Sequence, residues 1–251
     1  MQRPTPQRST PSLGNRSAHK TTDRATDHAT DRAAMRDFFL ALRKASLDIA
    51  APLSDEDQNI QSMPDVSPTK WHLGHVSWAF ETFFLEPLNE KGGIGYSLFD
   101  PTFDYIFNSY YEAVGPRHER AKRGLLSRPS HEEVMAYRRY VDDAVLSAID
   151  SVPEEVWKSH AWAFDLALNH EQQHQELILT DIKHVFSCNP SRPAYGSYRP
   201  HGIDHVRETG WLPFEGGLVE IGHQGAGFAY DLESPRHKVW LEPFRIADRL
   251  V

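Results

Sequence analysis

The sequence predicts a mainly α protein: a four-helix bundle followed by a β-rich stretch that opens a second domain. Three observations carry that expectation. The run from Trp162 to Phe186 contains no Gly or Pro and repeats its apolar residues with a helical period. Two more helices announce their starts, Ser67-Pro68 as N-cap plus N1 proline and Ser130-His131-Glu132-Glu133 as a capping box. After Pro190 the pattern changes to short, Gly-punctuated alternating runs, the period of strands.

Residues 1–33 are rich in Arg, Thr, Ser, Pro and Asp and offer almost nothing to bury, so they read as a disordered tail. Asp23, Asp27 and Asp31 argue against a transit peptide. Folding begins near Ala33, where Phe38, Phe39, Leu42 and Ile49 give a first helix to about Ala51. The second helix runs from Ser67 through Trp71, His75, Trp78 and Phe83 to about Leu85, ended by Pro87. Gly92, Gly93 and Gly95 mark a loop, and Phe103 to Ala113 reads as a short aromatic helix. The Ser130 helix extends to about Ile149, and the helix of His170 stops before Pro190, closing a helical domain over 34–190. Within 191–251, a linker leads to strand-like runs at Leu218–Ile221 and Lys238–Leu241. The sequence closes on Arg249-Leu250-Val251 in mid-segment, so this stretch reads as the incomplete N-terminal portion of a second domain.

Composition narrows the function classes. A net charge of −8 argues against a nucleic-acid partner. A single Cys, Cys188, excludes a disulfide framework and fits a reducing compartment. No apolar run reaches the length of a membrane span, and the N-terminus lacks the apolar core of a secretory signal. The expectation is a cytoplasmic protein without a membrane partner.

The chemistry-bearing segment is His170-Glu171-Gln172-Gln173-His174. Two imidazoles four residues apart on a helix lie one turn above the other and can close on a single metal. With 14 His in 251 residues, chance alone supplies roughly one such pair. His201 and His205 share the spacing, but Pro200 and Gly202 make a helix there implausible. The pair at His170 and His174 instead continues a face carrying Leu166, Leu177, Ile178, Asp181, Ile182 and Val185. Buried imidazoles on such a face need partners, and a metal satisfies both. A third ligand must come from elsewhere. In Trp71-His72-Leu73-Gly74-His75, His75 falls within the stripe of Trp71, Trp78 and Phe83, whereas His72 sits nearer its edge, so His75 is the expected ligand. His-Glu-x-x-His is also the zinc peptidase motif with Glu171 as general base, but its extended form needs Gly at 177 and His at 180, where this chain has Leu177 and Thr180.

Several segments together resemble one family. Ser67-Pro-Thr-Lys-Trp-His-Leu-Gly-His75, Phe107-Asn-Ser-Tyr-Tyr-Glu-Ala-Val-Gly-Pro-Arg-His118, Arg123-Gly-Leu-Leu-Ser-Arg-Pro129, His170-Glu-Gln-Gln-His-Gln-Glu176, Leu179-Thr-Asp-Ile-Lys-His184 and Ile221-Gly-His-Gln-Gly-Ala-Gly-Phe228 look like the sulfoxide synthases of ergothioneine biosynthesis, the hercynine oxygenases. The resemblance runs from about Ala33 to the last residue. It implies a DinB-like helical bundle coupled to a domain of the sulfatase-modifying, formylglycine-generating-enzyme type. It also implies nonheme iron(II), Fe(2+), as cofactor, joining a thiol to the imidazole of hercynine (Nα-trimethylhistidine) with O2. The thiol is cysteine or γ-glutamylcysteine.

By that resemblance His75, His170 and His174 are the metal ligands, leaving Glu171 and Glu176 to support them or face solvent, and Gln173 helps seat the hercynine ring. Arg117, Arg120, Arg123 and Arg128 form a basic stretch from which Arg123 is expected to bind the thiol substrate's carboxylate. The family's catalytic tyrosine belongs to a part of the second domain not found in this sequence, so the chain alone is expected to be catalytically incomplete, with a separate chain as one source of the remainder. The alternatives are a DinB-like metal-binding bundle acting as a thiol transferase or without redox activity, a zinc peptidase, and a non-enzymatic interaction module.

Overall fold

The structure, a computed structural model, describes residues 31–109, 115–197, 208–225 and 227–250. The tail up to residue 30, the Tyr110-Tyr111 part of the aromatic segment and the His201/His205 pair lie outside the described residues. Four long helices pack together, and short strands follow. The helical expectation holds, with corrections at the ends of elements.

Helix α1 spans Arg32–Ala50 and starts on Asp31, whose carboxylate accepts from the N–H groups of Ala33 and Ala34. That residue belongs to the helix as its cap rather than to the tail. Phe39 and Leu42 are buried, whereas Phe38 faces outward. Helix α2 spans Thr69–Phe80 and is entered through Pro68, one residue later than Ser67-Pro68 predicts. The Ser67 hydroxyl does not cap because it accepts from Arg123 instead, at 2.9 Å.

Pro87 does not end this helical path. One wide turn, Glu81–Leu85, has Glu86 N–H bonded back to the Glu81 carbonyl, and α3 (Glu86–Gly92) follows with Pro87 in its first turn. There the missing N–H is not needed, so proline is tolerated. The path closes at Gly93, left-handed at φ 59°.

The aromatic helix α4 is only Phe103–Phe107; Asn108 is already extended. Its last residue has a structural partner in Gly74, since a Cβ there would lie 2.2 Å from the Phe107 ring. Glycine at 74 is what lets α4 lie against α2. Helix α5, His131–Ser151, carries the predicted capping box: Ser130 Oγ accepts from Glu133 N–H and Glu133 accepts from Ser130 N–H. Helix α6 runs from Glu154 to Cys188, 35 residues, starting a full two turns before Trp162. Glu154 and Glu155 in its first turn suit the positive end of the helix dipole.

Helix α2 packs on α5 and α6, and α1 on α6 and α5. Phe39, Phe80, Phe84, Trp157 and Phe164 form one aromatic core between them. At its edge lies a buried ionic knot. Arg43 of α1 donates to Glu171 of α6 at 3.0 Å, to Ser77 of α2 at 2.9 Å and to Asp142 of α5 at 2.6 Å. Arg138 of α5 donates to the other Glu171 oxygen at 2.7 Å, and Ser46 adds a third contact at 2.6 Å. All four long helices thus meet around one carboxylate, which fixes the rotation of α6.

The strands pair in two antiparallel ribbons. β1 (Trp211–Phe214) pairs with β4 (Phe244–Ala247), and β2 (Gly217–Ile221) pairs with β3 (His237–Leu241) in a register that sets Leu218 opposite Trp240. Phe214 and Phe244 stack at 4.9 Å. Among the described residues, no helix is long and apolar enough to cross a membrane.

Candidate metal centre

Three imidazoles converge between α2 and α6. His170 and His174 come from one face of α6, and His75 faces them from α2. Ring centroids are 4.6 Å apart for His170–His174, 4.6 Å for His75–His174 and 4.9 Å for His75–His170. One ligand atom from each lies within 4.8 Å of the others. His75 Nδ1 donates to the Phe107 carbonyl at 2.6 Å, which leaves Nε2 to face His170 Nε2, 3.3 Å away.

Helix spacing puts the α6 pair in register, and the knot at Glu171, on a neighbouring face, holds that helix in place. The π-turn after Phe80 lies beyond His75, so α2 is regular where it carries that imidazole.

The electrostatics suit metal binding. Burial, then the neighbouring His170, holds His75 well below the ordinary histidine value. Burial likewise lowers His174, assisted by His75 and His72, and lowers His170 to about 4. All three rings are therefore neutral near pH 7, the form with a nitrogen lone pair for a metal.

A fourth histidine belongs to the site. His72 is not at the edge of α2: it is 2% exposed, with Nδ1 2.8 Å from His174 Nδ1 and Nε2 3.0 Å from Asp181 Oδ2. The sequence signal was present, because His72 faces α6 at a turn's distance from His75 and Asp181 stands seven residues, two turns, after His174. What sequence could not supply was the rotation of α2 against α6. On the α6 face itself, Ile178, Asp181, Ile182 and Val185 are buried as expected, whereas Leu177 is turned outward, 39% exposed.

The helical fold with this site has known relatives. The DinB superfamily description matches residues 39–178, more than half of the chain. The chain belongs to the DinB superfamily. Two curated relatives are a hercynine oxygenase of Mycolicibacterium thermoresistibile, 28% identical over 198 residues, and one of Mycolicibacterium smegmatis, 26% identical over 210. These alignments take in 76% and 82% of this chain but 40% and 45% of the relatives. A third, from Mycobacterium tuberculosis, is 27% identical over 125 residues. The chain therefore spans less than half the length of the curated relatives it matches.

Around the DinB centre the other predicted residues fall as follows. Glu171 does not face solvent and does not reach the imidazole cluster. Burial pushes its carboxyl up, but Arg43, Arg138 and the Ser46 hydroxyl outweigh this and hold it down at about 2. A carboxylate so stabilised is a poor general base, which removes the group a zinc peptidase would need. Glu176 is exposed. Gln173 is exposed and lines a cavity of about 730 Å³ together with His170, Phe83, Trp162, Asp165 and the strand-segment residues Phe228 and Tyr230.

Arg123 sits apart from the rest of its basic stretch. It is buried, whereas Arg117 and Arg128 are exposed. Its guanidinium donates to Ser67 and Ser109 hydroxyls and lies 3.4 Å over the Trp71 ring, which itself stacks on His75 at 4.6 Å and 13°. It does not line the cavity of Gln173.

Proposed function

We propose that this DinB bundle is the metal-binding part of an enzyme of ergothioneine biosynthesis, joining hercynine to a cysteine-type thiol through a C–S bond with nonheme iron(II) and O2. The observation that carries the proposal is the convergence of three neutral imidazoles at the edge of a cavity, in a chain similar to hercynine oxygenases. Among the described residues no carboxylate joins this cluster, so the donor set is three nitrogens. Such a set fits iron(II), as it fits other first-row divalent ions, and a facial arrangement leaves positions for substrates. The bound iron would supply activation of O2.

The chain's own residues would do the positioning. His75, His170 and His174 would hold the metal. Gln173, an amide on the cavity wall next to a ligand, would orient the hercynine ring by hydrogen bonding without competing for iron. Phe83, Trp162, Phe228 and Tyr230 offer aromatic surface and Asp165 a carboxylate, a lining suited to a trimethylammonium group. Arg123 would take the carboxylate of the thiol substrate, cysteine or γ-glutamylcysteine, only from the side of Ser67 and Ser109, because it does not line the Gln173 cavity.

The proposal assigns residues 34–190 to the metal-binding domain and 191–251 to a linker and the beginning of a β-rich domain of the sulfatase-modifying type. A DinB thiol transferase using the same metal is the second reading, favoured by the fact that all three donors lie in the bundle. The two differ in O2 consumption.

The test is spectroscopic. The chain loaded with iron(II) is exposed to nitric oxide, and the signal of the iron–nitrosyl complex is followed as hercynine is added. The proposal expects hercynine to alter that signal, and Gln173→Leu to weaken the effect. A signal indifferent to hercynine at saturating concentration contradicts it.

A further inference from the structure

Asp181 and His72 form a chain of hydrogen bonds that ends on a metal ligand. We infer that Asp181, acting through His72, is a positioning pair that fixes His174 as its Nδ1–H tautomer and so aims the Nε2 lone pair into the three-histidine centre. The inference rests on the metal-site reading of His75, His170 and His174, and deepens it.

Asp181 Oδ2 accepts from the Ser67 backbone N–H at 2.8 Å and lies 3.0 Å from His72 Nε2. A carboxylate offers acceptors only, so His72 must present N–H at Nε2. A neutral imidazole carries a single N–H, so His72 Nδ1 is then a lone pair. That lone pair lies 2.8 Å from His174 Nδ1, which must therefore carry the proton between them. With its N–H on Nδ1, His174 has its lone pair on Nε2.

The opposite arrangement fails twice. It sets His72 Nε2 and Asp181 as two acceptors face to face, and it leaves His174 Nε2 occupied by hydrogen. Neutral histidine in water favours that Nε2–H form, so His174 is held in its less common tautomer by its surroundings.

All members are buried: His72 is 2% exposed, Asp181 6% and His174 8%. Water therefore does not readily replace a missing partner. The chain also spans the two helices that build the centre, His72 from α2 and both Asp181 and His174 from α6. His75 shows the same logic with a simpler partner, the Phe107 carbonyl. Hydrogen bonding to the far nitrogen orients a ligating imidazole and raises its basicity, and loss of such a partner costs about 10–100-fold in metal affinity.

Two measurements test the inference. In the metal-free, unmodified protein labelled with nitrogen-15, two-bond proton–nitrogen correlation spectra report the tautomer of each ring directly. His174 is expected to be protonated at Nδ1 and bare at Nε2, and His72 the reverse. Chelator-competition titration with cobalt(II) then compares the protein with His72→Leu and Asp181→Asn.

His72→Leu removes the acceptor and is expected to weaken cobalt binding by about 10-fold or more. Asp181→Asn keeps the shape, and the Ser67 N–H holds its amide oxygen in place. It is therefore expected to weaken binding by less, with the His174 tautomer retained. A bare Nδ1 on His174 overturns the inference, as does a folded His72→Leu protein that binds cobalt within twofold of the parent. If His72→Leu does not fold, the tautomer spectra decide. Absence of metal binding by the parent, with the expected tautomers present, contradicts the metal reading and leaves the hydrogen-bond chain standing.

Discussion

In the bundle, Trp78 and Trp157 are fully buried and every long helix contributes to one core, whereas Trp211 and Trp240 in the strand ribbons stand 59% and 64% exposed. None of the described residues from 208 to 250 is buried, although the strands are regularly paired. The contrast separates two sources of order. Backbone pairing alone satisfies N–H and C=O groups, but two-stranded ribbons gain little stability without apolar surface packed on them. The bundle has both. Its three-histidine cluster inherits that rigidity, because His75, His170 and His174 all stand on buried helices, while the cavity wall from Gly227 to Leu232 comes from the strand segment.

The comparison breaks most directly at Glu171. Glu171→Gln leaves Arg43 and Arg138 buried without their shared counter-charge and is expected to destabilise the fold by about 3–5 kcal/mol in chemical denaturation. The pH dependence has a definite sign. Glu171 titrates at about 2 in the folded chain, below the ordinary carboxylate value of 4.5, so its stabilisation is complete above 4.5 and is lost as pH falls towards 2. Denaturation midpoints measured across that window should fall in the parent and flatten in Glu171→Gln.

A smaller loss is expected from Gly74→Ala, about 1–3 kcal/mol, because the new methyl must push aside the Phe107 ring. The same substitution should also disturb the Phe107 carbonyl that holds His75. Trp240→Ala, although it removes a larger side chain, is expected to change stability by only about 0.5 kcal/mol or less, since the ring is mostly exposed. A cost for Trp240→Ala comparable to that for Gly74→Ala would erase the distinction between the regions. Hydrogen exchange sharpens it at no cost in sequence change: slow amides in α5 and α6, fast ones across residues 208–250.

Much of this was legible from residue patterns. The helix starts at Ser130 and near Ala33, the i, i+4 pair on α6 and the opposing His75 all follow local periodicity and capping, which depend on near neighbours in sequence. The misreadings have a common physical origin. Pro87 breaks a helix in isolation, but a π-turn upstream lets the chain continue, and that depends on tertiary packing. Glu171 reads from sequence as supporting the histidines or facing solvent; its burial follows from Arg43, 128 residues away in the chain. His72 was set aside for the same reason, since its partners Asp181 and His174 are contributed by another helix.

The three-histidine cluster is expected to hold one metal ion on His75, His170 and His174. The most direct test is metal content after anaerobic reconstitution with iron(II) and removal of excess, comparing the chain with its His170→Ala/His174→Ala double variant. The account predicts one iron per chain in the parent and none in the variant, with far-ultraviolet circular dichroism unchanged. Equal metal content in the two proteins would contradict it and place the ion elsewhere.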